Sequence, residues 1–404
     1  MVVGIVGGGA AGMAAALAAA ENPGVQVVLL ERQSRLGRKL GATGNGRCNL
    51  TNLHALQGGY HGSDPSFAVP ALTAFDVDAT LKWFRQLGLF TVAEPSGRVY
   101  PYSDQANSVV DVLRFALEKT NIQVLCGFEV AKARKVGSRF SLEDGQQQIL
   151  CDKLIIACGG LAGSKLGGSM SGYKLLGKFG HRSTRLRPAL VQVKTDWSGI
   201  SALKGVRANC TARIFRDGQE TAAGEGELQF TETGLSGPLM FELSRDVCQD
   251  GARWSCRMDF LPHISAPELE TELLRRRETQ LSTDELLTGI LHNRLGRVLT
   301  KAAGIKGAQP IAQLREEELA YVCRTVKGFE VPLLEPLGMD SAQVTAGGVI
   351  TDGFDPETME SKTTPGLYAC GEVLDIDGDC GGYNLQWAWS SGRMAGIHAG
   401  KDSK

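Results

Sequence analysis

A chain of 404 residues is longer than a usual single domain, so two or three domains are expected. Its 43% hydrophobic and 22% charged residues are ordinary for a globular protein with a sizeable core. With 43 Lys and Arg against 44 Asp and Glu the net charge is −1, so no global positive field favours nucleic acid or an anionic membrane as partner.

Residues 1–6 form a short apolar run that stops at Gly7. Residues 9–20 read as a helix of small residues, and 25–30 as a second apolar run ending at Glu31. Strand, Gly-rich turn, helix and strand make a βαβ unit with a parallel sheet. The Ala-rich helix is too short to span a bilayer, which needs about 20 apolar residues, and no basic segment opens the chain; cytoplasmic residence is expected. The polar stretch 32–52 is long for a structureless connection, and loops of that length are often functional. Helical spacing follows at Leu81, Phe84 and Leu87, and again at Val109, Val112, Leu113, Ala116 and Leu117. A strand is expected over 122–126, a small β-meander up to Leu150, and a return to the main sheet over 154–158, ending at Gly159-Gly160.

The texture changes near Leu190. Alternating segments such as 191–193 and 211–215 read as antiparallel strands, continuing to about Phe260. Ser265-x-x-Glu268 and Ser282-x-x-Glu285 have the capping-box pattern of helix starts, and Leu286, Leu287, Ile290 and Leu291 give one apolar helical face. Residues 329–333 read as β again. After Pro336 the first texture resumes, with a buried-type strand over 367–370 meeting Gly371-Glu372 and a final helix over 384–398.

The first motif with chemistry is Gly7-x-Gly9-x-x-Gly12. Gly7 permits the tight turn, Gly9 lets backbone approach a pyrophosphate, and Gly12 lets helix and strand pack closely. The helix N-terminus offers N–H groups and partial positive charge to phosphates. Glu31 ends the next strand near the expected offset of about 20 residues, where a carboxylate accepts from ribose hydroxyls and disfavours a 2′-phosphate. Four cations and four glycines in 35–47 lie beside that site and suit phosphate neutralisation. The plainer reading is a solvated basic loop. Cys48 among those cations is a candidate reactive thiol, though a small packed residue is the favoured reading.

At the other end, 364–372 reads as turn, strand, then Gly with an acid, and Gly378 to Gly382 permit close backbone approach before the last helix. Aimed at a flavin, that helix N-terminus stabilises negative charge on the reduced ring. Trp387 and Trp389 read as core. The 10 cysteines include no Cys-x-x-Cys pair, and His181, His263, His292 and His398 have no ligand spacing, so no metal is expected.

The runs 37–40 (GRKL), 44–52 (GNGRCNLTN), 230–238 (FTETGLSGP) and 381–386 (GGYNLQ) resemble the HI0933-like FAD-binding flavoproteins, also labelled YhiN-like, BaiN-like or aminoacetone oxidase family. The resemblance covers nearly the whole chain. It implies an α/β fold: a glutathione-reductase-type, Rossmann-like FAD-binding domain from 1–189 plus 336–404, an inserted β-barrel-like domain from 190–261 plus 326–335, and a small helical domain over 262–325. It also implies that Gly7, Gly9, Ala11, Gly12, Glu31 and Arg32 hold adenosine and pyrophosphate, and that Arg38, Lys39, Arg47 and Cys48 lie along the cofactor. Val130, in a strand over 127–130, matches the backbone contact to adenine. Gly371, Glu372, Asn384, Leu385 and Gln386 approach the ribityl chain and isoalloxazine. The implied activity is NAD(P)H-dependent reduction of a conjugated C=C in a small hydrophobic, steroid- or bile-acid-like substrate, with FAD as cofactor and NAD(P)H as transient donor. Alternatives are a flavin amine oxidase of the aminoacetone type and a flavoprotein associated with RNA modification. No catalytic residue is assigned.

Overall fold

The structure, a computed structural model, describes residues 1–245, 247, 251–307 and 309–401. Cys248 lies outside them. They divide into two compact units, 1–188 with 342–404, and 189–341.

The first unit is built on a five-stranded sheet of β1 (Val2–Val6), β2 (Gln26–Glu31), β3 (Ile122–Cys126), β4 (Lys153–Ile156) and β5 (Leu367–Ala369). All neighbours run parallel in the order β5-β4-β1-β2-β3. The central strands are covered on both faces, which is why β1, β2 and β4 read as unbroken apolar runs: Val3, Ile5, Leu29, Leu30, Ile155 and Ile156 are fully buried. β5 comes from the far end of the chain and pairs Leu367 to Ala369 with Leu154 to Ile156. Three helices matter for the site: α1 (Ala10–Ala19), α2 (Ala106–Glu118) and α3 (Tyr383–Ala399).

α1 and α3 pack through small residues. A Cβ on Gly392 would fall 2.4 Å from Ala11 O, and one on Gly396 2.3 Å from Ala15 O. Glycines four apart on α3 therefore face alanines four apart on α1, and backbone lies against backbone. Trp387 and Trp389 are buried in this core; their indole N–H groups donate to Gly371 O (3.2 Å) and Leu50 O (2.9 Å).

In the second unit, strands Val193–Thr195, Arg207–Arg216, Gln219–Phe230, Gly234–Ser236, Trp254–Asp259 and Phe329–Pro336 close into an antiparallel barrel. The 230–238 motif makes a tight corner in it. Thr231 Oγ1 accepts from Gly234 N (3.1 Å), a Cβ on Gly234 would meet Val193 O, and Pro238 starts a short helix. Between the last two barrel strands lie helices Ala266–Arg275, Asn293–Ala302 and Glu316–Lys327, whose Leu273, Leu299 and Val322 share one core with the barrel.

Two sequence expectations differ from the structure. Leu286, Leu287, Ile290 and Leu291 lie in turns, not on a helix: the Ser282–Glu285 capping box forms, but it starts only the 3₁₀ turn Thr283–Glu285, and Gly289 adopts φ +80°. Leu286 and Leu287 are buried nonetheless, so their apolar character serves the core without helical geometry. Residues 127–130 are not a strand either. Gly127 turns at φ +78° directly after β3. No helix among the described residues is long and apolar enough to cross a membrane.

Candidate functional site

The site forms where β1 meets α1. Gly7 N donates to Leu30 O (2.8 Å), and Gly7 adopts φ +113° with no space for a side chain: a Cβ would lie 2.3 Å from Ala157 O. A Cβ on Gly12 would lie 1.8 Å from Gly7 O, so α1 rests on the turn itself. Gly9 is different, since nothing lies within 4 Å of its Cβ position. Two of the three glycines are thus demanded by packing and the third faces open space, as a pyrophosphate at the α1 N-terminus requires.

Glu31, at the end of β2, reaches the same turn. Its Oε2 accepts from Gly8 N (2.7 Å) and its Oε1 from Gln33 N (2.7 Å). The carboxylate is thereby oriented, and each oxygen keeps a second lone pair for a ribose hydroxyl. Phe128 N bonds Glu31 O (3.0 Å), which brings buried Val130 to this end although it is not on a strand. Arg32 Nη2 donates to Gly167 O (2.9 Å), and Arg38 Nη1 to Gln33 Oε1 (2.6 Å).

The C-terminal segment enters beside this turn. Gly371 adopts φ +74°, and its Cβ would meet Ala11 Cβ at 2.8 Å. Next to it, Glu372 Oε2 takes a salt bridge from Lys39 Nζ (2.7 Å), and Oε1 accepts from Thr345 N (2.9 Å). Lys39 and Glu372 are 333 positions apart, and their side chains are 30% and 19% exposed. A half-buried pair with a further backbone donor is worth more than a surface pair, and losing one partner strands the other. Lys39→Met and Glu372→Gln are each expected to lower flavin affinity by about tenfold or more, and a double-mutant cycle to return a coupling of about 1–2 kcal/mol. Additive single effects would show that the pair does not act as a unit.

Thr345 was not legible as a site residue. Its Oγ1 accepts from Leu161 N and Ala162 N, both at 2.9 Å. A Cβ on Gly160 would collide with Glu372 and with Thr345. The second Gly-rich turn, 159–163, is therefore occupied by protein and offers those two amides to no second dinucleotide.

At the start of α3, Asn384 and Gln386 act through their side chains as clamps. Asn384 Oδ1 accepts from Gly378 N (2.9 Å) while its Nδ2 donates to Gly378 O (2.6 Å). Gln386 is fully buried: its Oε1 accepts from Thr51 Oγ1 (2.6 Å), and its Nε2 donates to Phe75 O, Thr80 Oγ1 and Ser390 Oγ. Gln386 ties the GNGRCNLTN run to the GGYNLQ run, and Asn384 closes the loop before α3. Leu385 is partly buried against the same core. Asn49 Oδ1, within that first run, is buried with no protein partner, an acceptor left for a ligand N–H or O–H.

Arg47 and Cys48 diverge. Arg47 is spent on Asp104 (2.5 Å) and Glu94 (3.2 Å) and stacks over the Tyr100 ring at 4.1 Å. Cys48 is fully buried, and burial pushes its thiol up to about 12, so it is not held as a thiolate near neutral pH. Alkylation of native protein at about pH 8 is expected to modify exposed Cys126 before the buried cysteines and to leave Cys48 unmodified until the chain unfolds, read by peptide mass spectrometry. Early labelling of Cys48 would contradict this. Among the described residues no His, Cys, Asp and Glu cluster could hold a metal.

A family model described as the HI0933-like protein Rossmann domain matches residues 1–398. The chain is 38% identical over 400 residues to a 3-dehydro-bile acid delta(4,6)-reductase of Clostridium scindens, covering 98% of each. It is 31% identical over 390 residues to a ribosomal RNA dihydrouridine synthase of Escherichia coli, covering 96% of this chain and 95% of that one. In fold it is similar to a 3-ketosteroid-delta4-(5alpha)-dehydrogenase of Rhodococcus jostii (TM-score 0.50, 16% identity, 99% and 96% covered). It is similar also to a 3-ketosteroid delta1-dehydrogenase of Sterolibacterium denitrificans (TM-score 0.52, 13% identity, 98% and 99% covered).

Proposed function

The chain belongs to the HI0933-like family and is an FAD-dependent oxidoreductase, and from that premise we propose that it reduces a carbon–carbon double bond conjugated to a carbonyl, drawing electrons from NADH or NADPH. The observation that carries this reading is the end-to-end match with a relative named as a delta(4,6)-reductase of a 3-dehydro-bile acid. A planar, hydrophobic oxo-steroid with a 4-ene or 4,6-diene is the first substrate class to offer it.

In this reading the open backbone at Gly9 and the α1 N-terminus hold the pyrophosphate, Glu31 the ribose, and the Val130 backbone the adenine edge. Gly371, Glu372, Lys39 and the start of α3 hold the ribityl and ring end, with Arg32 and Arg38 beside the phosphates. When bound, the flavin supplies hydride transfer. The chain's part is to place the ring, exclude water, and stabilise negative charge at the N-terminus of α3 as the ring is reduced.

A second reading is favoured by the 31% match to a ribosomal RNA dihydrouridine synthase. Dihydrouridine is uridine with its 5,6 double bond saturated, and that bond is conjugated to a carbonyl. The two readings share a reaction and differ in whether the acceptor is a free small molecule or a nucleotide in RNA.

Anaerobic titration of purified holoprotein with NADH and NADPH is expected to bleach the flavin with at least one of them. Mixing the reduced protein with a panel of conjugated oxo-steroids, and separately with unmodified ribosomal RNA, is expected to restore colour with one class. Bleaching by a primary amine, with peroxide formed under air and no response to nicotinamide, would replace this proposal with an amine oxidase.

A further inference from the structure

Double-bond reduction requires a proton as well as a hydride, and none of the residues above supplies it. We propose that His61, oriented by Asp379, is the proton donor, an inference that rests on the double-bond reductase reading. His61 Nε2 lies 2.7 Å from Asp379 Oδ1, a bond that joins residues 318 positions apart.

Both partners are fixed by backbone. The strand Tyr60–His61 pairs with Asp377–Gly378, His61 opposite Asp377. Asp379 N donates to Gly59 O (2.9 Å), and Gly59 turns at φ +80°, a conformation that favours glycine, with its Cβ position 2.8 Å from Asp379 Oδ2. Asn384 Nδ2 reaches Asp379 O at 3.3 Å, which couples the pair to the first turn of α3, the end assigned above to the flavin ring. Tyr60 OH donates to Tyr383 O (3.2 Å), and the two rings meet edge to face at 5.9 Å.

The chemistry follows from which nitrogen is engaged. A carboxylate that accepts from Nε2–H fixes the ring's orientation, so that in the imidazolium Nδ1–H is the transferable proton. Among the described residues Nδ1 has no hydrogen-bond partner. The His61 and Asp379 side chains are 38% and 41% exposed, open enough to meet a substrate and to regain a proton from water. In the reaction a hydride adds to the β-carbon and the double-bond electron pair shifts toward the carbonyl. His61 Nδ1–H then gives its proton to the α-carbon, which leaves neutral imidazole for solvent to reprotonate. Hydride and proton together saturate one C=C, and one NAD(P)H is oxidised. The charged group facing His61 is the Asp379 carboxylate; the Arg98 guanidinium lies against Gly381 in the same loop.

Two measurements test it. In stopped-flow on holoenzyme, His61→Gln is expected to keep its flavin and to be reduced by NAD(P)H within about twofold of wild type, while reoxidation by the enone slows about 100-fold or more. The wild-type reoxidation rate is expected to fall with rising pH as His61 loses its proton, a limb that His61→Gln lacks. The second readout needs no substrate. In the holoprotein with 15N-labelled histidine, the His61 pKa is expected to rise by about half a pH unit or more on flavin reduction, because the reduced ring is anionic. A His61 pKa indifferent to flavin reduction, or His61→Gln reoxidising within about threefold of wild type, overturns the proposal. So does loss of flavin in both His61→Gln and Asp379→Asn, which makes the pair a structural clasp. Failure of wild type with every enone, with the pKa shift present, sinks the substrate reading and leaves His61 placed at the ring.

Discussion

Gly9→Ala is expected to give a protein as stable as wild type that purifies without colour, whereas Gly12→Ala is expected to lose both stability and flavin. The contrast comes from what each added methyl meets. At Gly9 it enters open space with no atom within 4 Å, at an ordinary φ of −83°, so the fold is indifferent, within about 0.5 kcal/mol. A pyrophosphate against that backbone is not, and flavin affinity is expected to drop at least about tenfold, about 1.4 kcal/mol. At Gly12 the methyl falls 1.8 Å from Gly7 O, a backbone atom that cannot rotate away. The helix must part from the turn, at a cost of about 3 kcal/mol. Urea melts with flavin absorbance on each variant read both quantities. Gly9→Ala binding FAD like wild type would remove the pyrophosphate from that turn.

Gly396→Leu is expected to have the largest effect on stability alone. A Cβ there already lies 2.3 Å from Ala15 O and 2.8 Å from Ala18 Cβ, and a leucine adds three more carbons. α3 cannot stay seated on α1, so the cost is expected to exceed about 3 kcal/mol, with Gly396→Ala intermediate at about 1–3 kcal/mol. Since α3 also carries Gln386 and the tryptophans, limited proteolysis is expected to release the C-terminal segment in Gly396→Leu before the rest of the chain is cut. A variant with unchanged urea midpoint would show that the two helices need not touch.

What could be seen in the sequence was what local spacing encodes. The run from Val2 to Val6, the glycines after it and Glu31 at the end of β2 lie within 31 residues, and each obeys a short-range rule. β5 and α3 were legible for the same reason. The misses are of two kinds. Leu286 to Leu291 have a helical pattern that lost to Gly289, whose positive φ belongs to a turn, while Leu286 and Leu287 are buried without helical pairing. Others were invisible because the partners are remote. The acidic partners of Arg47 are Glu94 and Asp104, 47 and 57 positions away, and nothing in 35–52 announces them. Thr345 reads as an ordinary threonine until its hydroxyl is found on the amides of Leu161 and Ala162. His61 and Asp379 are unremarkable in isolation and meaningful only as neighbours.

The first unit is interrupted and the second is continuous, and this sets an order on biosynthesis. Residues 189–341 leave the ribosome as one uninterrupted stretch and can close their barrel while translation proceeds. The central parallel sheet cannot finish, because β4 waits at its edge for β5, and α1 waits for α3, until residues 367–399 emerge. At roughly 5–20 residues per second that delay lasts from about ten to some tens of seconds. Throughout it, a strand edge and an apolar helix face stay uncovered on the nascent polypeptide, which makes this interval the time of greatest exposure to aggregation and to chaperones.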